Sequence, residues 1–196
     1  APKSRPSTKE QEKYNRSQAT KKVIRLVNAD FDNTDIFMHV TYAPENAPRS
    51  EARARKDITN YLRRVKRYRE TRAKRVKERL KKQPEDKRLK QTLKKLRQPF
   101  KYFYVIEKST YQRGSLKGKD SWHFHLFVTG MGEGDRDILE SMWTEGKRVN
   151  AGRFQPERFG PEAAAVYISK DPQGTKRFSY SRNLDKPKTP PPKDGK

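Results

Sequence analysis

The stretch Trp122-His123-Phe124-His125-Leu126-Phe127-Val128 decides how this chain is read. Its residues are aromatic, β-branched or long and apolar, and Gly130 closes it, which is the composition of a β-strand. A strand sends alternate side chains to opposite faces. His123 and His125 therefore point the same way, one pleat apart, while Trp122, Phe124, Leu126 and Val128 take the other face and can bury against helices. Two imidazoles on a rigid strand form a ready pair of nitrogen ligands for a divalent metal. The chain holds only three histidines, and two of them share this face.

Working outward, Phe100 to Lys108 reads as the preceding strand, with Phe103, Val105 and Glu107 on one face and Phe100, Tyr102, Tyr104 and Ile106 on the other. Ser109 to Ser121 is a loop with Gly114, Gly118 and the cations Arg113, Lys117 and Lys119. It returns the chain antiparallel, so the two strands form a hairpin. Glu107 lies near the loop end of one strand and His123 near the loop start of the other. This register predicts that a carboxylate and two imidazoles converge, a three-ligand site for a hard or borderline divalent ion, Mg²⁺ or Mn²⁺, with positions left for phosphate oxygen and water. Ile36 to Tyr42 is a further strand. On that strand His39 fits two roles, a histidine hydrogen-bonded near the sheet or a ligand in place of Glu107. For the residue alone the first is favoured.

Composition sets the partner class. Of 196 residues, 48 are Lys or Arg and 24 are Asp or Glu, giving a net charge of +24, and only 31 % are hydrophobic. Such a surplus calls for a polyanion, and nucleic acid is the first candidate. No apolar run approaches the length that spans a bilayer, so a membrane role is not expected. There is no cysteine, which excludes disulfides and cysteine-bound zinc and suits a reducing compartment. We expect a chain that is not secreted, cytoplasmic in a bacterial host or nuclear if from a eukaryotic virus.

In chain order, residues 1–20 are polar and charged and read as a disordered basic arm. Lys21 to Asn28 reads as a short edge strand. Ser50 caps a long helix whose Ile58, Tyr61, Leu62, Val65 and Tyr68 form an apolar stripe. Beyond Arg63 it turns basic, breaks at Gln83-Pro84, and is followed by a second basic helix marked by Leu89, Leu93 and Leu96. We expect residues 50–98 to form a helical hairpin projecting from the core, with Arg63, Arg64, Lys66 and Arg67 contacting phosphates. Ile138, Leu139, Met142 and Trp143 mark a helix, and Arg148 to Asn150 a short strand. Pro161 opens a helix over Glu162–Asp171 that places Tyr167 and Lys170 on one face. On that helix, Tyr167 is a phenol able to attack phosphorus, and Lys170 can steady a phosphate or lower the phenol's pKa. Residues 186–196 are rich in proline and lysine and read as a disordered tail.

These pieces together resemble the HUH endonuclease superfamily, specifically the rolling-circle replication initiators of small plasmids, phages and single-stranded DNA viruses. Phe37-Met38-His39-Val40-Thr41-Tyr42 is similar to the first motif, His123-Phe124-His125 to the second, and Tyr167-Ile168-Ser169-Lys170-Asp171 to the Tyr-x-x-Lys-Asp form of the third. Phe178 to Leu184 resembles the stretch that follows. The resemblance implies an α+β, palm-like domain over residues 21–185, with a central antiparallel sheet of about five strands and packed helices. It implies metal-assisted nicking and joining of single-stranded origin DNA, with a hairpin as one form of target. The products would be a 5′-phosphotyrosine at Tyr167 and a 3′-OH primer, with host helicase and polymerase as partners. The third metal ligand would be Glu107. Arg182 joins the DNA-contacting set. Asp171 stands where a second tyrosine would, which fits the single-tyrosine class. No Gly-x-x-x-x-Gly-Lys-Ser/Thr loop is present, so no helicase ATPase is expected. A single-tyrosine HUH transposase or a relaxase is the nearest alternative. A non-catalytic basic protein gripping single-stranded nucleic acid is the alternative of another class.

Overall fold

The computed structural model describes residues 8–114, 116–146, 149–155 and 178–185. Their order is α1 (Lys9–Asp30), β1 (Ile36–Thr41), α2 (Glu51–Lys82), α3 (Lys87–Arg97), β2 (Tyr102–Thr110), β3 (Asp120–Val128), α4 (Asp135–Ser141), β4 (Val149–Arg153) and β5 (Phe178–Tyr180). The five strands form one sheet in the order β4-β1-β3-β2-β5, every pairing antiparallel. The α+β architecture is the expected one.

Strand alternation builds two apolar layers. Ile36, Met38 and Val40 of β1, Tyr104 and Ile106 of β2, and Phe124, Leu126 and Val128 of β3 face α2, α3 and α4. There they bury against Ile58, Tyr61, Leu62, Val65, Leu93 and Leu139. Phe103, Val105 and Phe127 take the opposite face and bury against Val23, Leu26, Val27 and Phe31 at the C-terminal end of α1, with Phe154 and Leu184.

The first 30 residues depart from the sequence reading. Residues 9–20 belong to a helix and not to a disordered arm, and Lys21 to Asn28 continues that helix where an edge strand was expected. Thr8 caps it, its hydroxyl accepting from the Gln11 amide at 3.2 Å. Val23, Leu26, Val27 and Phe31 fall at three- and four-residue spacing and reach one apolar layer, which a helix delivers and a strand does not. The fifth strand is Phe178–Tyr180, paired to the free edge of β2.

The α2–α3 hairpin also differs from expectation. It does not project; Val76, Leu89, Leu93 and Leu96 are buried in the larger core layer. Arg69 fastens it. This side chain is 3 % exposed, and its guanidinium donates to the carbonyls of Thr129, Gly130, Lys95 and Gln98. One residue thereby ties the middle of α2 to the end of β3 and the end of α3. At the turn after β3, Gly132 sits at φ 87°, and a Cβ there would lie 2.9 Å from the Thr92 Cα. Only glycine allows α3 to approach so closely.

Candidate metal and nucleic-acid site

The hairpin register is the predicted one. Glu107 stands directly across from His123, and Val105 across from His125. On the other side of β3, β1 sets His39 opposite His125 and Thr41 opposite His123. All three histidines and Glu107 therefore share one face, toward the end of the sheet where β1 leaves and β3 enters. This is the α1 face, beyond the patch that α1 covers with Val23, Leu26 and Val27.

Within the cluster, His39 and His125 stack with ring centroids 4.7 Å apart, and His39 and His123 are 5.6 Å apart. The His125 Nε2 lies 3.1 Å from a Glu107 carboxylate oxygen. The His123 Nε2 lies 2.7 Å from the Ser121 hydroxyl and 3.4 Å from that of Ser109. Ser121 and Ser109 did not emerge from the sequence. Their signal was the same two-residue alternation that aligned the histidines, since Ser121 precedes His123 by two.

Electrostatics favour neutral imidazoles. Burial pushes the His125 pKa down to about 4, against the opposing effect of its hydrogen bond to Glu107. His39 and His123 are lowered too, again chiefly by burial. The close approach of His125 to Glu107 is then a neutral N–H donating to a carboxylate and not an ion pair. Neutral imidazole is the form that ligates a metal, and three imidazoles with one carboxylate suit Mn²⁺ or a similar borderline ion. The chemistry of the donor set fits. Among the described residues no three His, Asp or Glu side chains are gathered around one point. The bonds to Ser121 and Glu107 hold ring nitrogens that an ion would claim.

A cleft of about 620 Å³ opens at the same end of the sheet, lined by Pro44, Pro48, Arg49, Tyr111, Lys119 and Asp120 among others. Arg113, Lys117 and Lys119, expected to contact DNA, are exposed on this β2–β3 loop. Arg182 is not brought to the site. It follows β5, whose pairing of Tyr180 with Phe103 places it toward the opposite end of β2. Arg63, Arg64, Lys66 and Arg67 are exposed on α2, and α2 packs on the far face of the sheet from the histidines. They do not line the cluster, so phosphates that they contact lie on the other side of the sheet from the histidines. Tyr167 and Lys170 lie outside the described residues.

No family model, curated protein or solved structure matches this chain.

Proposed function

We propose that this protein is a metal-dependent endonuclease that nicks and rejoins single-stranded DNA through Tyr167, in the manner of a replication initiator. The observation that carries the reading is that the register sets His39, His123, His125 and Glu107 on one pleated face, at the end of the sheet where a cleft lined by Arg49 and Lys119 opens.

In this reading His123 and His125 hold the ion, with Glu107 or His39 as third ligand. When bound, the ion supplies Lewis-acid polarisation of the scissile phosphate. The Tyr167 oxygen attacks phosphorus, the P–O3′ bond breaks, and the departing oxygen takes a proton to leave a 3′-OH. The 5′-phosphate stays on the tyrosine. Lys170 lowers the phenol's pKa or steadies the phosphate charge. Reversal rejoins the strand. Arg49, Tyr111 and Lys119 in the neighbouring cleft take the adjoining nucleotides, Tyr111 through stacking.

The described residues on either side of 156–177 favour this assignment. Phe154 before that segment and Phe178 and Tyr180 after it all pack in the layer on the histidine side of the sheet.

The test is incubation of the protein with a pool of single-stranded oligonucleotides and Mn²⁺ or Mg²⁺, followed by a denaturing gel. A covalent protein–DNA adduct is expected that disappears in Tyr167→Phe and in His123→Ala. Binding with no adduct on any strand would make this a non-catalytic nucleic-acid-binding protein.

A further inference from the structure

The strongest concentration of charge lies away from the histidines. Between residues 51 and 97 there are 21 Lys and Arg against 6 Asp and Glu, which is +15 of the chain's +24. The buried side of α2 is set by Ile58, Tyr61, Leu62, Val65, Arg69 and Val76. At 100° per residue the line diametrically opposite carries Lys56, Arg63, Arg67, Lys74 and Lys81. All five are exposed. The first four make no ion pair among the described residues, while Lys81 meets Glu78 at 2.9 Å. Arg64, Lys66, Arg75 and Lys77 flank this line, and only Glu70 and Glu78 interrupt it.

From Lys56 to Lys81 the line runs about 38 Å at 1.5 Å per residue. One turn of B-form duplex advances about 34 Å. The helix is rigid, capped by Ser50 and braced at Arg69 by four carbonyls. It offers cations at fixed intervals over a full duplex turn.

What the surface lacks identifies the nucleic acid further. Single strands are gripped by aromatic platforms on which bases stack. Tyr61 is buried and Tyr68 packs against the core, and the one exposed large hydrophobic side chain among the described residues is Tyr14, outside this hairpin. A face with cations and no exposed rings reads phosphates and not bases.

We infer that the outer face of α2 is a second nucleic-acid site, which binds the phosphate backbone of duplex DNA on the opposite side of the sheet from the histidine cluster. The two sites are separate, so one molecule holds a duplex on α2 while the histidine face stays open. This inference does not depend on nicking, and absence of a Tyr167 adduct leaves it standing.

The experiment uses the full chain with Arg63→Gln, Arg67→Gln and Lys74→Gln combined, and a fluorescent 20-base-pair duplex of arbitrary sequence in an anisotropy titration. All three side chains are exposed, and an unchanged thermal midpoint verifies folding. Duplex affinity at 0.1 M salt is expected to fall at least tenfold. The slope of log K against log salt should become shallower by roughly 2 to 3, at about 0.9 per phosphate contact. His123→Ala with His125→Ala should leave both quantities within twofold of the unmodified protein. Duplex binding unchanged by the triple substitution would overturn the proposal. So would an equal loss in the double histidine variant, which would mean a single shared surface. A loss seen only with a single-stranded 20-mer, or only with vesicles containing anionic phospholipid, would reassign the face to that partner and overturn it too.

Discussion

His39 stands directly opposite His125 across the β1–β3 ladder, with their rings stacked 4.7 Å between centroids. His39 thereby adjoins the paired histidines from one side of β3, as Glu107 does from the other. The sheet offers an ion two candidate third ligands, one on each adjacent strand.

Substitution separates them. In Mn²⁺ titrations followed by calorimetry, His123→Ala and His125→Ala should each weaken binding at least 100-fold. Of Glu107→Ala and His39→Ala, the one that removes the true third ligand should cost a similar amount. The other should cost about tenfold, as expected for a residue that only orients a ligand. Equal, negligible effects of all four would show that no ion is held here.

Stability should fall on acidification because of His125. Its folded pKa is pushed down to about 4 from 6.5. Between those values the unfolded chain binds a proton that the folded one refuses, so unfolding is favoured progressively as pH drops from about 6.5 toward 4. The contribution is present above 6.5 and amounts to on the order of 1–3 kcal/mol. His39 and His123 act in the same direction. Urea midpoints at pH 7 and pH 5 should differ, and the difference should shrink in His125→Gln. A variant with the same pH dependence would exclude this residue as the cause.

Arg69→Leu should destabilise the fold by about 3 kcal/mol. The substitution keeps much of the volume but leaves buried carbonyls of Thr129 and Gly130 without their donor. Arg69→Lys should recover only part, because an ammonium lacks the planar fork that serves four acceptors. Chemical denaturation measures both. Full stability in the leucine variant would mean that packing alone holds the hairpin.

Gly132→Ala should cost about 1–3 kcal/mol, since the left-handed φ and the crowding against Thr92 act together. Thr92→Ser in the same chain should relieve part of it by removing a methyl that the new Cβ meets. The thermal midpoints of the single and double variants give the answer.

The histidine hairpin was legible in the sequence because period-two alternation is local. Placing Glu107 across from His123 needed only two apolar strands and the loop between them. The Ser50 cap and the break at Gln83-Pro84 were legible for the same reason. Helix α1 was not. Its first dozen residues are polar, and the β-branched Val23, Ile24 and Val27 imitate a strand when read without the layer they pack into. The placement of α2 was hidden differently. Its apolar stripe announces that one side is buried, but nothing local says which face of the sheet receives it. That choice decides whether Arg63 and Arg67 stand beside the histidines or behind them.

Asp30 closes α1 with a buried carboxylate whose Oδ1 accepts from the Lys101 ammonium at 2.6 Å and from the Asp185 amide at 3.0 Å. Lys101 also reaches the Asp185 carboxylate at 3.1 Å. The last turn of the first helix and the chain just past β5 thus share one electrostatic knot at the start of β2. Trimming the protein from its front would loosen a strand formed some 150 residues later, and a cut that spares every side chain of the histidine cluster would still unseat the far edge of its sheet.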